Sequence, residues 1–174
     1  MSDQSTSPLS SDLIPAPAAV LGYVGLVPFV IGALGTWLLP LPYAAYMASA
    51  QIYYAAITLS FFGAVHWGWA LQRDFDAPTS SWEPYVWGVT PAVISWAVVA
   101  ISSFPLMDPP GATLLSLDQT VAMLIAGLLL SLLIDLKRIR IGRFPVWYRK
   151  LRLRLTFSAV ACLGISLLRI VSYG

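Results

Sequence analysis

The stretch LSFFGAVHWGWALQR, residues 59–73, contains the single histidine of the chain, His66, in a run that is otherwise apolar. Ionisable groups inside membrane-spanning segments are costly and mark functional sites. Imidazole titrates near neutral pH, so His66 could relay protons, donate to a quinone carbonyl or ligate a haem or metal. It could equally be a neutral side chain that bonds a carbonyl or hydroxyl and fixes helix packing. These alternatives stay open at the level of sequence.

Other chemistry-bearing patterns are absent from the sequence. It has no HExxH, GxSxG, GxxxxGK or CxxC motif. Cys162 is the only cysteine, so the chain cannot form an intramolecular disulfide or a thiolate metal cluster. A bis-histidine haem site would require a second histidine. We therefore predict no metal site and no cofactor, and His66 is the one candidate for cofactor contact.

The composition is typical of a membrane protein. Hydrophobic residues make up 58% of the chain and charged residues 10%, with a mean hydropathy of +0.76, whereas soluble domains are about 25% charged. A spanning helix needs about 20 mostly apolar residues, and a membrane barrel would alternate apolar and polar residues. We predict an all-α integral membrane bundle of five transmembrane helices within residues 18–172, at 18–39, 48–71, 86–104, 119–136 and 155–170.

Features outside and within the apolar runs refine this prediction. Residues 1–17 carry acidic but no basic side chains, which favours a disordered tail over a secretory signal. Pro28 and Pro91 lie inside the first and third runs, where proline removes a backbone donor and kinks a helix. Small residues permit close helix approach, so we expect the first two spans to pack tightly. The small residues are Gly22, Gly25, Gly32 and Gly35 in the first run and Ala56, Ser60, Gly63 and Ala64 in the second.

Basic residues concentrate between the fourth and fifth runs, and this sets the predicted orientation. Short loops rich in Lys and Arg stay cytoplasmic, so residues 137–154 form a basic cytoplasmic loop, the N-terminus is cytoplasmic and the C-terminus periplasmic. We expect this loop to attract anionic lipid headgroups and not nucleic acid, and to neutralise Asp135 through its first basic residues. The basic residues are Lys137, Arg138, Arg140, Arg143, Arg149, Lys150, Arg152 and Arg154.

Depth along the spans suggests a second polar feature. His66 lies about 7–8 Å from the cytoplasmic end of the second run at 1.5 Å per residue. Hydroxyl-bearing residues of the other spans occur at comparable depth, so the sequence predicts a polar layer around His66. Its members are Tyr23, Thr90, Ser131 and Ser158.

Four sequence blocks together resemble a known family. They are GLVPFVIGAL at 25–34, SFFGAVHWGWAL at 60–71, YVWGVTPAVISWAVV at 85–99 and WYRKLRLRLT at 147–156. In this order they are similar to the transmembrane protein 69-like family, small polytopic proteins of proteobacteria and mitochondria. The resemblance covers residues 18–170 and implies an inner-membrane protein with no established activity. The GAxHWG block is its most specific motif, carried by Gly63, Ala64, His66, Trp67 and Gly68.

The functional prediction follows from these observations. Small size, glycines for tight packing and the absence of a catalytic constellation favour a non-enzymatic protein of the bacterial inner membrane. Its partners would be the lipid bilayer and a larger membrane complex, for which it would act as an accessory or assembly partner. Two alternatives use His66: a quinone- or cofactor-binding redox component, and a small proton-coupled transporter.

Overall fold

The computed structural model describes residues 13–75, 81–106 and 113–172, and these ranges are all-α. No strand forms among these residues, apart from an isolated bridge between Pro105 and Thr113. Five helical segments are long and apolar enough to cross a membrane, and α1 and α2 share the first of them. The predicted all-α bundle of five spans is therefore confirmed. The helices are α1 (Ala16–Val24), α2 (Val27–Leu38), α3 (Leu41–Arg73), α4 (Glu83–Ser102), α5 (Leu117–Arg140) and α6 (Val146–Val171).

The first span is broken between α1 and α2. Pro28 lies in the first turn of α2, where its missing N–H is tolerated but the ladder of the preceding helix cannot continue. The hydroxyl of Tyr54 on α3 donates to the carbonyl of Gly25 at the break, at 2.9 Å. Pro91, by contrast, lies inside α4, which is continuous from Glu83 to Ser102.

The contact between α2 and α3 depends on small residues, as predicted for the first two spans. A Cβ at Gly32 would lie 2.8 Å from Cβ of Gln51, and one at Gly35 would lie 2.5 Å from Cγ of Met47. The amide of Gln51 donates to the carbonyl of Phe29 at 2.8 Å. Close approach therefore places a buried polar side chain of α3 against the backbone of α2.

The small residues of the second span serve a different contact from the one expected. The hydroxyls of Ser60 on α3 and Ser95 on α4 lie 3.1 Å apart. A Cβ at Gly63 would lie 2.6 Å from the carbonyl oxygen of Gly88 on α4. Ser60 and Gly63 therefore pack against α4 and not against the first span.

Several predicted boundaries are wrong. The region 137–154 is not a loop, because α5 continues to Arg140 and α6 begins at Val146, which leaves 141–145 as the connection. α3 begins at Leu41 rather than 48. The predicted tail 1–17 falls outside the described residues up to position 12, and its last two residues already belong to α1. Lys and Arg are good helix formers, so a helix can extend past the apolar run that reveals it.

An apolar core lies between α3, α5 and α6. Its centre contains Leu59 of α3, Leu124 and Leu128 of α5, and Ala159 and Leu163 of α6, each almost completely buried. We call the end of the bundle at which α3 and α5 end and α6 begins the basic end. The polar residues described next lie between this core and the basic end.

Candidate functional site

His66 faces the interior of the bundle and meets a buried acid. Its side chain is 4% exposed, and Nε2 lies 3.0 Å from Oδ1 of Asp135 on α5, whose side chain is fully buried. The two atoms are at ion-pair distance, although their alignment is not that of a hydrogen bond. The histidine that sequence analysis singled out is thus paired with an acid from a neighbouring helix.

The second oxygen of Asp135 binds an arginine of α6. Nε of Arg152 donates to Oδ2 at 2.6 Å, while Nη1 donates to Thr156 and Nη2 to Ser131, both at 2.9 Å. The guanidinium carbon lies 3.3 Å from the ring centre of Phe62 on α3. Arginine suits this position, because its planar fork makes several directed hydrogen bonds and stacks on aromatic faces. Every nitrogen of Arg152 donates within the bundle.

Helical spacing explains how these residues come together. Ser131 and Asp135 are one turn apart on α5, and Arg152 and Thr156 are one turn apart on α6, so each pair shares a face. Tyr148 lies a turn before Arg152, and its hydroxyl donates to Oδ2 of Asp135 at 3.3 Å. We call His66, Ser131, Asp135, Arg152 and Thr156 the buried polar cluster.

Two polar atoms of the cluster, Nδ1 of His66 and Oδ1 of Asp135, make no hydrogen bond within the described part of the chain. Nδ1 of His66 is buried and makes no hydrogen bond to any described residue. The imidazole packs against the ring of Phe144, with 5.3 Å between ring centres. An unsatisfied buried polar atom is uncommon and costs about 1–3 kcal/mol. Among the described residues of the cluster, this nitrogen and Oδ1 of Asp135 are therefore the two atoms that could accept a further bond.

The electrostatics of the cluster favour a closed arrangement. Asp135 and Arg152 are both fully buried and compensate each other's charge, and isolated buried charges would be strongly unfavourable. The charges of these two residues cancel within the cluster. Four clefts of the described chain are lined by other residues, and none of them by His66, Asp135 or Arg152. The arrangement is chemically suited to holding three helices together.

A second group of ion pairs lies at the basic end. Glu83, at the start of α4, accepts from Nη2 of Arg138 at 3.0 Å and from Nη1 of Arg143 at 2.8 Å. Arg73 donates to Asp74, which also accepts from the hydroxyl of Tyr85. These pairs connect α4 to the ends of α3 and α5.

The GAxHWG motif divides between two neighbours of α3. His66 faces the buried polar cluster, whereas Gly63 and Trp67 face α4. Nε1 of Trp67 donates to the carbonyl of Tyr85 at 2.8 Å, and its ring occupies the space where a Cβ of Gly88 would be. Ala64 is exposed, and a Cβ at Gly68 would meet nothing within 4 Å.

The predicted polar layer does not form as a unit. Ser131 joins the buried polar cluster, but Thr90 bonds the carbonyl of Val86 in its own helix. Ser158 is exposed, and the hydroxyl of Tyr23 lies at the surface, where it accepts from Arg154 at 3.3 Å. Depth in the membrane does not identify contacting residues, because it does not say which face of its helix each residue occupies.

Two predictions about the basic residues are also wrong. Arg152 was expected among lipid headgroups but is fully buried against Asp135. Arg138 was expected to neutralise Asp135 but is buried against Glu83. Arg143 is half-buried, and the other members of the basic group are exposed, namely Lys137, Arg140, Arg149, Lys150 and Arg154. The i, i+4 spacing of polar residues on α5 and α6 was the available signal for the cluster.

Comparison with known proteins agrees with the membrane architecture. A family model described as a protein of unknown function, DUF3429, matches residues 14–168. The chain belongs to this family. It is 30% identical over 154 residues to transmembrane protein 69 of Xenopus tropicalis, an alignment covering 88% of this chain and 54% of the relative.

A second relative gives the same result at greater distance. Transmembrane protein 69 of Mus musculus is 25% identical over 154 residues, covering 88% of this chain and 56% of the relative. The chain thus spans about half the length of the curated relatives it matches. No solved structure matches significantly. The resemblance found in the sequence blocks is confirmed, and the DUF3429 chain is a multi-pass transmembrane protein.

Proposed function

We propose that this DUF3429 protein is a non-enzymatic accessory or assembly partner of a larger complex in the bacterial inner membrane. The observation that carries the proposal is the closed state of the buried polar cluster. Oδ2 of its acid and every nitrogen of its arginine are hydrogen-bonded to residues of the same chain, and they join α5 to α6. His66 adds α3 to the same unit. A site that turns over a substrate would need an opening to these groups.

In this proposal the buried polar cluster gives His66 a structural role that requires no catalysed reaction. Helices in a membrane gain little from apolar contact with one another, because lipid tails are equally apolar. A buried ion pair between helices instead specifies which faces meet. In this proposal the DUF3429 bundle is a fixed scaffold that presents a defined surface to a partner, and no cofactor takes part.

The charge distribution supports an orientation. Every basic residue except Arg169 lies at or near the basic end. The positive-inside tendency favours a cytoplasmic basic end, hence a cytoplasmic N-terminus and a periplasmic C-terminus. The exposed basic residues there would contact anionic lipid rather than nucleic acid. A C-terminal alkaline phosphatase fusion should be active, and an expressed but inactive fusion would contradict this orientation.

Purification in mild detergent tests the accessory role. We expect a membrane subunit to co-purify at constant stoichiometry through two affinity steps, one on each partner. His66→Ala should lower the thermal stability and the yield of the complex, whereas Ser158→Ala, at an exposed site outside the cluster, should change neither. A protein that runs as an active, ligand-bearing species without any partner would overturn the proposal.

One observation favours a second candidate, a redox component that contacts a quinone or cofactor through His66. It is the buried Nδ1 atom without a hydrogen-bond partner. A quinone recovered by solvent extraction from the wild type and missing from His66→Ala would support this candidate. Equal amounts of quinone in both proteins would exclude a role for His66 in holding it.

A further inference from the structure

A polar cleft opens at the basic end between the last turns of α3 and the connection from α5 to α6. Its volume is about 690 Å³, within the range of about 300–1,000 Å³ that is typical of small-molecule sites. It is separate from the buried polar cluster, none of whose members line it. We call it the interface cleft, and it is lined by Val65, Gly68, Trp69, Gln72, Arg73, Arg143, Phe144 and Pro145.

Two arginines are held together at this cleft by one aromatic ring. The guanidinium carbon of Arg73 lies 5.0 Å from the ring centre of Trp69, and that of Arg143 lies 5.3 Å from the same centre. Cation–π attraction offsets part of the repulsion between the two charges. The ring of Trp69 therefore lies beside both guanidinium groups.

The carboxylates that pair with these arginines lie outside the cleft. Asp74 binds Arg73 and Glu83 binds Arg143, yet neither acid is among the described lining residues. A guanidinium has five N–H donors, and the bond of Arg143 to Glu83 uses one nitrogen. The described lining thus carries two guanidinium groups, each paired with an acid, and the amide of Gln72. The N–H donors of Arg143 that Glu83 does not use, together with this amide, suit an oxyanion.

Position in the span indicates which oxyanion fits. The cleft lies at the end of a membrane-spanning helix, where tryptophan side chains sit at the level of lipid headgroups. Gly68 leaves its mouth open, since a Cβ there would meet nothing within 4 Å. A ligand whose phosphate enters the cleft could keep its acyl chains beside α3. Bidentate bonds from arginine match the geometry of a phosphate.

We propose that the interface cleft binds the phosphate headgroup of an anionic phospholipid. This goes beyond the general attraction of a basic surface for anionic lipid, because it assigns one lipid to one site with named ligands. It is also independent of the accessory role, since a scaffold and an enzyme could both carry such a site.

The test measures lipid retention by native mass spectrometry on the full chain released from mild detergent. Phosphatidylglycerol and phosphatidylcholine with the same acyl chains serve as probes. We expect the wild type to retain phosphatidylglycerol preferentially. Arg143→Gln should lower its bound fraction about tenfold, because it removes charge-assisted hydrogen bonds to the phosphate. Gly68→Leu should cause a similar loss by filling the cleft while leaving every charge in place.

Matched variants distinguish a specific lipid site from the general electrostatic attraction of the basic end for anionic lipid. Arg149→Gln removes one exposed basic residue of α6 away from the cleft, and Gly164→Leu enlarges a glycine with equally open surroundings. Both should retain phosphatidylglycerol as the wild type does. If Arg149→Gln loses as much lipid as Arg143→Gln, or if Gly68→Leu loses none, the proposal is wrong.

A competition experiment distinguishes a phospholipid from free inorganic phosphate as the ligand of the interface cleft. Inorganic phosphate at millimolar concentration should not displace phosphatidylglycerol from the wild type. Displacement by phosphate, together with equal retention of the two lipids, would identify a free-phosphate site and overturn the lipid assignment. Should Arg143→Gln fail to fold because Glu83 loses a partner, Gly68→Leu and its control decide the outcome.

Discussion

The DUF3429 bundle buries polar groups in two different ways. Where α2 meets α3, neutral side chains donate to backbone carbonyls, as Gln51 does to Phe29 and Tyr54 to Gly25. Where α3, α5 and α6 meet, ionisable side chains contact one another, with Asp135 between His66 and Arg152. The first contact is a set of separate local bonds, whereas the second is a unit in which each member depends on the others.

This difference predicts different responses to mutation. A local bond to a carbonyl can be lost without exposing a charge, and interhelical hydrogen bonds in membranes contribute about 0.6 kcal/mol on average. Removing one partner of a buried ion pair leaves the other charged and unpaired, which is far more unfavourable. Substitutions in the two contacts therefore test whether they differ in this way.

Asp135→Ala should have the largest effect. It leaves Arg152 buried without a counter-charge, and we expect a loss of about 3–5 kcal/mol in the free energy of unfolding. Reversible unfolding in mixed micelles measures it. In the same assay Arg152→Ala should be comparably destabilising, and the double variant should be more stable than the sum of both losses predicts. Additive losses would show that the two residues do not act as a unit.

His66→Ala should destabilise less than Asp135→Ala. Arg152 still compensates the charge of Asp135, so the loss comes from a cavity and from one missing contact, about 2 kcal/mol. The same micelle unfolding assay applies. A loss equal to that of Asp135→Ala would show that His66 stabilises the cluster as much as the acid does, contrary to this expectation.

Gly32→Ala tests the close approach of α2 and α3. The added Cβ would lie 2.8 Å from Cβ of Gln51, and overpacking of this kind costs about 1–2 kcal/mol. The melting temperature should fall, while Gly164→Ala, with open space around its Cα, should keep or slightly raise it. Equal melting temperatures for the two variants would show that the contact between α2 and α3 yields easily.

Tyr54→Phe should have the smallest effect. It removes a single hydroxyl that donates to the carbonyl of Gly25, and we expect a loss of about 0.6 kcal/mol. Hydrogen exchange of amides around the break between α1 and α2 should increase, whereas exchange near Asp135 should not change. Faster exchange at both places would indicate that the two contacts are coupled, contrary to the comparison.

The sequence predicted the spans because hydropathy depends on residue type alone, and the lipid environment requires a certain apolar length. It did not predict the partners of His66, because contact between helices depends on their rotation about their axes. Thr90 and Ser131 lie at similar depth, yet only Ser131 faces the cluster. Arg152 was misplaced for a related reason: charge indicated the surface, but its face of α6 is the one that meets Asp135.

The position of Trp67 has a consequence for how this molecule can move. Its ring fills the space beside Gly88, and its indole N–H is bonded to the carbonyl of Tyr85, so α3 cannot slide along α4 without losing both contacts. The two helices should therefore behave as one hairpin. Any rearrangement that separates His66 from Asp135 would then displace α5 and α6 relative to that hairpin. Such a displacement would strain the ion pairs that join Glu83 of α4 to Arg138 and Arg143.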